Sequence, residues 1–296
     1  MLGVVNLDKP VGPTSHDMVG LLRRLTGTHR IGHAGTLDPL ASGVLPILVG
    51  AATRFSEELT GGAKRYEAVV RLGSRSLTDD GEGPITASDA PLPADDEIRG
   101  VVREFVGTFA QRPPAFSARK VGGQIAHRVA RRGELLDVPS REVTIHSIDV
   151  MDMERGADGV EVRIDLRCGA GTYVRSLARD LGERLGCGGY LRALRRTEAG
   201  GLSVVDAITP EDLAELAASG RFGEALIPVG EVLPLPRMAL DAEAAWRFVH
   251  GSAQRVGDGA AGGRTAVFEG DTLLGIGSVD AGILQPQKVV PREAGK

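Results

Sequence analysis

The spacing of apolar and polar residues changes several times along the chain, and each change predicts a different element. Apolar residues recur every three or four positions over 15–27, which predicts an amphipathic helix with Ser15 as N-cap and Gly27 at its end. Residues 64–73 alternate apolar and polar positions instead, as a strand does. The same reasoning predicts strands over 4–7, 143–153 and 159–168, a buried apolar segment over 44–49, and helices over 51–59, 96–109, 124–132 and 173–185.

The segments between these elements are rich in residues that favour turns. Residues 74–95 are rich in Gly, Pro, Asp and Ser, which predicts a long exposed loop. Residues 111–120 contain two prolines near their start and carry three cations, which predicts a projecting basic loop. A turn over 169–171 leads to Thr172, which we expect to cap the helix that follows it.

The character of the chain changes near Pro234 and Pro236. An amphipathic helix is predicted to begin at Asp241. It is followed by short predicted strands over 265–269, 272–279 and 288–290. We therefore expect a large α+β domain over 1–232 and a small β-rich domain over 237–293, which is within the lower size range of domains.

Composition narrows the class of protein. Hydrophobic residues make up 42% of the chain and charged residues 25%, which is typical of a globular protein, and no apolar run is long enough to span a bilayer. The first residues do not resemble a signal peptide, so we expect Cys168 and Cys187 to be free thiols in a reducing cytoplasm. Neither cysteine has a partner at metal-ligand spacing.

Charge is unevenly distributed along the chain. The net charge of −4 argues weakly against a nucleic-acid partner, but residues 111–133 carry six basic side chains and no acidic one. A local basic patch, rather than total charge, indicates phosphate binding. The alternative is that these side chains form a solvated surface, as most charge runs do.

One carboxylate lies in an unusual loop. Asp38 is followed by a proline, which biases it toward an extended or turn conformation, and Gly35 and Gly43 flank it on either side. A stiff loop before a buried segment is a common location for a catalytic group. This stretch alone favours the alternative, a carboxylate that caps a turn or a helix, because Asp-Pro turns are common.

Four other residues are candidates for binding or chemistry. Tyr66 lies at the start of a predicted strand. The alternative to a functional role is that it is a packed aromatic residue with a hydrogen-bonded hydroxyl. Tyr173 and Arg175 lie in the first turn of a predicted helix, where anions are favoured, although a packed ring and a solvated cation are the simpler interpretations. His33 precedes the Asp38 loop, where it would otherwise be an ordinary polar residue at a loop edge.

Asp38, Tyr66, Tyr173 and Arg175 belong to a series of five ordered motifs, and the combination of these motifs resembles the TruB family of pseudouridine synthases. The motifs are Asn6–Ser15, Gly35–Gly43, Lys64–Tyr66, Gln111–Lys120 and the pair Gly171–Leu177 with Gly186–Gly188. The resemblance covers residues 3 to about 230, and the tail resembles the PUA-like RNA-binding domain of these enzymes. It departs from the family at His127, where a tyrosine is usual.

The resemblance implies a fold, a reaction and a set of roles. The fold would be a mixed, largely antiparallel sheet flanked by helices, and the reaction would convert uridine 55 in the T-loop of tRNA to pseudouridine after the base is flipped out. Asp38 would act on the ribose as nucleophile or base, Arg175 would keep this carboxylate ionised and aim it, and Tyr66 would contact the flipped uracil. The other implied substrate-binding residues are His33, Tyr173, Leu194, Lys9, Arg119 and Lys120.

The resemblance also implies that no metal or organic cofactor is needed, since no electrons move and no group is lost. It favours a bacterial stand-alone enzyme, expected to be a cytoplasmic monomer without a protein partner. Two other functions remain open from the sequence. A glycosidase could use Asp38, although it would need a second carboxylate, and a tRNA-binding protein without chemistry could use the same basic loop and tail.

Overall fold

The computed structural model describes residues 1–116, 138–257 and 262–291, together with the backbone of 120–121 and 124–125. The α-helices are α1 (Ser15–Thr26), α2 (Ser56–Thr60), α3 (Asp95–Glu104), α4 (Val174–Arg184), α5 (Pro210–Ala218), α6 (Val229–Val232) and α7 (Ala242–Val249). Short 3₁₀ helices cover Gly50–Phe55, Val204–Asp206 and Phe222–Ala225. None of the helices in these ranges combines the length and the apolar composition needed to cross a membrane.

The strands fall into one large sheet, one smaller sheet and two short hairpins. In chain order they are β1 (Gly3–Lys9), β2 (Ile31–His33), β3 (Ala41–Val49), β4 (Lys64–Leu72), β5 (Ser74–Ser76), β6 (Ile85–Ala87), β7 (Gly107–Gln111), β8 (Lys120–Val121), β9 (Gln124–Ile125), β10 (Arg141–Gly156), β11 (Gly159–Cys168), β12 (Gly189–Ala199), β13 (Leu202–Ser203), β14 (Arg237–Ala239), β15 (Gln254–Arg255), β16 (Gly263–Glu269), β17 (Thr272–Asp280) and β18 (Ile283–Val289).

The large sheet has the order β1-β3-β12-β4-β11-β10-β7, with β2 beside β3 and β13 beside β12. Every neighbouring pair in it is antiparallel except β3 and β12, which are parallel. This confirms the expected mixed, largely antiparallel sheet. One face is apolar, because alternate residues of β4 point inward, and α1, α3 and α4 pack on it around residues such as Leu22, Val102 and Leu181.

The smaller sheet has the order β14-β16-β17-β18-β15 and packs against α7 around Phe248. A second apolar cluster joins it to the large sheet and includes Phe55, Leu59 and Phe268. Beside this cluster the Glu58 carboxylate, whose side chain is buried, accepts hydrogen bonds from Arg264 and Lys288. The two sheets are therefore held together by both apolar packing and paired charges.

Several element boundaries differ from the sequence-based predictions. The predicted helix 96–109 ends at Glu104, and Gly107–Gln111 forms β7 instead, since these residues pair with β10. Residues 124–125 pair with 120–121 as a short hairpin, so the predicted helix 124–132 does not begin there; residues 126–132 lie outside the described part of the chain. The segment 51–59 is helical as predicted, but its first part is 3₁₀.

The segment predicted to be a long exposed loop, 74–95, is partly ordered against the sheet. It contains the β5–β6 hairpin, and residues 79–81 bridge to Leu191 of β12 through two backbone hydrogen bonds. This pairing buries Asp80 to 3% exposure. Both cysteines are free and buried.

Candidate active site

Asp38 lies in the loop between β2 and β3, and Ser15 of α1 fixes this loop at Leu37. The hydroxyl of Ser15 accepts a hydrogen bond from the Leu37 amide (2.8 Å) and donates one to the Leu37 carbonyl (2.9 Å). Ser15 is therefore not the N-cap of α1. Thr14 caps the helix instead, in a capping box with Asp17. The Asp38 side chain is 36% exposed, so its carboxylate is held at the surface by a buried anchor.

Arg175 in the first turn of α4 lies between two carboxylates. Its Nε is 2.9 Å from Asp38 Oδ2, and its Nη1 is 3.4 Å from Asp80 Oδ2. Nη1 also donates hydrogen bonds to the carbonyls of Thr78 (3.3 Å) and Phe116 (3.2 Å). The guanidinium is 7% exposed, so these contacts fix its direction toward Asp38.

The start of α4 is held by a residue far away in the chain. The Tyr173 amide donates to Gln111 Oε1 (2.9 Å), and Gln111 Nε2 donates to the Tyr173 carbonyl (3.1 Å). Tyr173 is the N-cap position, whereas the hydroxyl of Thr172, the predicted cap, donates to Gly169. Gln111 is 1% exposed and the two prolines after it are buried. The segment predicted to project thus begins packed against the helix that carries Arg175.

A cavity of about 300 Å³ opens beside Asp38. Asp38 is the single carboxylate among the described residues that line it. The wall also contains Lys64, Tyr66, Arg141, Tyr173, Arg175, Leu194 and Arg196. The structure therefore brings together five of the residues singled out by the sequence, which are Asp38, Tyr66, Tyr173, Arg175 and Leu194.

Two aromatic residues lie in different surroundings within the cavity. Tyr66 is 6% exposed, and burial raises the pKa of its hydroxyl despite the opposing charge of Arg196. Tyr173 stacks under the guanidinium of Arg141, whose central carbon is 4.9 Å from the ring centroid. Gly171 makes room for this stack, because a Cβ there would come within 2.9 Å of the guanidinium.

Lys9, one of the substrate-binding residues that the resemblance implies, does not line the cavity. Its side chain is fully buried, and its Nζ donates to the carbonyls of Pro10 (2.8 Å) and Pro13 (2.7 Å). Burial lowers the pKa of Lys9 to about 8. Lys9 therefore organises the loop before α1 rather than lining the cavity.

His33 does not line the cavity, and the side chains of the predicted RNA-gripping cations are not among those that the structure describes. His33 is half-buried in β2, and burial lowers the pKa of its imidazole, with the charge of Arg196 adding to the effect. Arg119 is outside the described residues, and only the backbone of Lys120 is described. Within the described part of the chain, no three His, Cys, Asp or Glu side chains are grouped as metal ligands.

Sequence reasoning missed three charged residues at the site, Asp80, Arg196 and Lys64. Asp80 lies in the segment predicted to be an exposed loop, and no motif singles out Arg196, yet Arg196 is 1% exposed. Lys64 is 8% exposed, and burial together with Arg196 lowers its pKa to about 8. The alternation of inward and outward positions along β4 and β12 could have indicated Arg196 and Lys64, because both side chains share the inward face with Tyr66.

Two family models match the chain. The model described as the N-terminal domain of TruB family pseudouridylate synthase matches residues 23–174, half of the chain, and the model described as the tRNA pseudouridylate synthase B C-terminal domain matches residues 175–241. The chain belongs to the TruB family of pseudouridylate synthases. The resemblance inferred from the motifs is confirmed, and this TruB-family chain is an enzyme of the pseudouridine synthase type.

Curated relatives and a solved structure match nearly the whole TruB-family chain. The tRNA pseudouridine synthase B of Ralstonia nicotianae is 40% identical over 97% of this chain and 94% of its own length. The protein of the same name from Acaryochloris marina is 40% identical over 99% of this chain and 100% of its own. The structure of an H/ACA ribonucleoprotein bound to a substrate RNA containing 2′-deoxyuridine contains a chain that is 26% identical, with a TM-score of 0.75 over 98% of this chain and 86% of that one.

Proposed function

We propose that this TruB-family enzyme converts the uridine at position 55, in the T-loop of tRNA, to pseudouridine. The single observation that carries the proposal is the Asp38–Arg175 ion pair of 2.9 Å at the wall of a cavity of about 300 Å³. That volume is at the lower end of pockets that hold small organic groups, so it suits one nucleoside rather than a helix of RNA. The names of the relatives, which match along nearly their full length, support tRNA as the RNA.

The reaction needs the base to leave the stack, because a protein carboxylate cannot reach the ribose C1′ of a stacked nucleotide. Asp38 then acts on the ribose, either at C1′ as a nucleophile or on a ribose proton as a base. Arg175 aims the carboxylate through their ion pair. The uracil rotates within the cavity, and C5 bonds to the same C1′.

The remaining residues of the cavity bind the flipped nucleotide. Tyr66 contacts the uracil, and its phenol oxygen accepts the C5 proton in the final step, while Tyr173 and Leu194 bound the space around the base. His33 fills or supports the gap that the base leaves in the RNA. Arg119 and Lys120 bind phosphates of the T-stem.

We also propose that residues 237–293 form a PUA-like domain that extends the contact with tRNA, and that the enzyme works as a cytoplasmic monomer without a protein partner.

The hydrolytic alternative is less well supported. A glycosidase needs two carboxyl groups that flank the bond to be broken. Asp80 is a second carboxylate near Asp38, but it lies on the far side of Arg175, is 3% exposed and does not line the cavity. A substrate in the cavity would therefore meet one carboxylate and several cations, which suits isomerisation rather than hydrolysis.

Release of tritium from tRNA labelled at uridine C5 tests the proposed function, because forming pseudouridine frees that label without cleaving the chain. We expect release by the wild-type enzyme and a loss of at least about 10²–10⁴-fold in Asp38→Asn, which keeps the size of the side chain but removes its charge. The matched control is Asp165→Asn, since Asp165 pairs with Arg65 on the other face of the sheet. tRNA binding without release by the wild type would instead support a binding protein, and free uracil would support a hydrolase.

A further inference from the structure

Arg196 of β12 is a buried cation that has no carboxylate partner among the described residues. Its Nε donates a hydrogen bond to the Val44 carbonyl (2.7 Å), and its Nη2 donates one to the Gly35 carbonyl (2.9 Å). These carbonyls orient the guanidinium but do not neutralise it. Arg175, by contrast, is paired with two carboxylates. Burying a charge without a counter-charge is costly, so a fold that keeps one at its active site has a use for it there.

The residue directly opposite Arg196 on the neighbouring strand is Tyr66. The two are cross-strand partners in the β12–β4 register, and their side chains both line the cavity. The other charged or titratable groups near the phenol oxygen of Tyr66 are Cys168 on β11 and Asp38 on the loop, while Lys64 precedes Tyr66 on the same strand. Burial raises the pKa of Tyr66, and Arg196 is the nearby group that lowers it most.

We infer that Arg196 is a positioning residue that stabilises Tyr66 as a phenolate, so that Tyr66 can take the C5 proton of the rearranged uracil. This inference rests on the proposed function. In the step, the phenolate oxygen bonds to the C5 hydrogen, and the electron pair of the C5–H bond forms the C5–C6 double bond while the π pair of the C6–N1 double bond moves to N1. N1, freed from the ribose, gains a proton from water. The proton that Tyr66 lost beforehand to water is regained from C5, so the net reaction moves one hydrogen from C5 to N1.

The arrangement makes a prediction about one step rather than about overall activity. An opposite charge in contact typically shifts a pKa by about 1–3 units, and each unit is tenfold in the fraction of phenolate. In Arg196→Gln, proton removal from C5 should therefore slow by about 10- to 1,000-fold at neutral pH. Because less phenolate is present, the rate should rise with pH over a range where the wild-type rate is flatter.

The experiment measures single-turnover pseudouridine formation with C5-protonated and C5-deuterated uridine in a tRNA T-stem-loop, from pH 6 to 9. For Arg196→Gln we expect a larger isotope effect than for the wild type and partial recovery of the rate at high pH. Arg196→Lys keeps the charge and should retain more activity than Arg196→Gln. Arg196→Lys also allows the inference to be tested if Arg196→Gln fails to fold. Lys64 titrates near pH 8 in the wild type, so the pH profiles are compared with that of Lys64→Met.

Arg195→Gln is the matched control, because Arg195 is the next residue on β12 and points to the other face, where it pairs with Asp8. It loses the same charge and should show the wild-type isotope effect. A slow Arg196→Gln enzyme with an unchanged isotope effect and an unchanged pH profile would overturn the inference and leave Arg196 as a support for Gly35. Failure of the wild type to form pseudouridine would overturn the proposed function instead.

Discussion

Arg175 is held by more contacts than binding a substrate alone would require. Asp80 contacts it from the side opposite Asp38, and Asp80 is itself fixed by the Thr78 hydroxyl (2.5 Å) and the Glu82 amide (3.1 Å). A guanidinium between two carboxylates is locked in direction, because moving toward one weakens its contact with the other. The aim of Asp38 therefore depends on a residue that does not line the cavity.

Asp80→Asn keeps acceptors for the Thr78 and Glu82 hydrogen bonds and removes the charge that holds Arg175. We expect kcat to fall by about 10²-fold, since a displacement of about 1 Å at a catalytic group has that effect. The Kd for tRNA should stay unchanged, because Asp80 is buried behind Arg175. Asp89→Asn, an exposed change in the same segment, is the control. Equal losses in both variants would contradict the special role of Asp80.

Tyr66 can be tested for stacking and for proton transfer with two substitutions. Tyr66→Phe keeps the ring and loses the hydroxyl, whereas Tyr66→Leu loses both. Stacking on a base is worth about 1–3 kcal/mol, but a general base contributes about 10²–10⁴-fold in rate. We expect both variants to be severely slowed while tRNA binding survives, as measured by single-turnover rates and binding titrations. A fully active Tyr66→Phe enzyme would leave Tyr66 with the stacking role alone.

At the scale of elements, the position of Arg175 depends on how closely α4 lies against β12. Gly182 of α4 faces Gly188 and Gly189, and a Cβ on Gly182 would come within 2.1 Å of the Gly188 carbonyl carbon and 2.0 Å of the Gly189 nitrogen. The absence of side chains at these positions lets a helix and a strand meet backbone to backbone. The turn that begins β12 is therefore fixed relative to the start of α4.

Gly182→Ala tests this close approach, because the helix propensity of alanine and the overpacking that its Cβ would cause change the stability in opposite directions. Alanine is favoured over glycine in a helix by about 1 kcal/mol, yet overpacking should destabilise the protein by about 1–3 kcal/mol. Gly100→Ala in α3 is the matched control, since a Cβ there meets no atom within 4 Å. It should stabilise the protein by about 0.5–1 kcal/mol. Urea unfolding of both variants measures the difference, and stabilisation by Gly182→Ala would show that the two elements can separate.

The elements could be predicted from the sequence where local patterns decide them. The alternation of 64–73 and the apolar spacing of 15–27 correspond to β4 and α1. The predictions were wrong where a partner distant in the chain decides the local structure. Gly107–Gln111 is a strand because β10 is beside it, and Ser15 is not a cap because Leu37 takes its hydroxyl. Asp80 was missed for the same reason, since only its pairing with β12 buries it.

At the scale of the whole molecule, one buried carboxylate contributes the paired charges at the contact between the two sheets. Burial alone would raise the pKa of Glu58, but hydrogen bonds from Arg264 and Lys288 hold it below the ordinary value of a glutamate. A carboxyl group whose pKa is lowered by folding stabilises the folded state above its unfolded pKa. That contribution is lost as the pH falls through the folded pKa.

Glu58→Gln should therefore destabilise the protein near pH 7 by about 1–3 kcal/mol, because two cations lose a charged acceptor. The difference from the wild type should shrink only below about pH 4, where the wild-type carboxyl is protonated as well. Unfolding curves at several pH values measure this difference. Glu57→Gln is the control, since Glu57 contacts Lys288 but is mostly exposed. A difference that is independent of pH would contradict the charge-based explanation.

The parallel pairing of β3 and β12 has a consequence for the time at which the enzyme becomes active. β12 lies between β3 and β4, so the loop that carries Asp38 and the strand that carries Tyr66 are not neighbours until β12 is in place. A ribosome adds about 5–20 residues per second, so β12 is synthesised on the order of ten seconds after the loop. A nascent chain from which β12 has not yet emerged thus has no complete cavity.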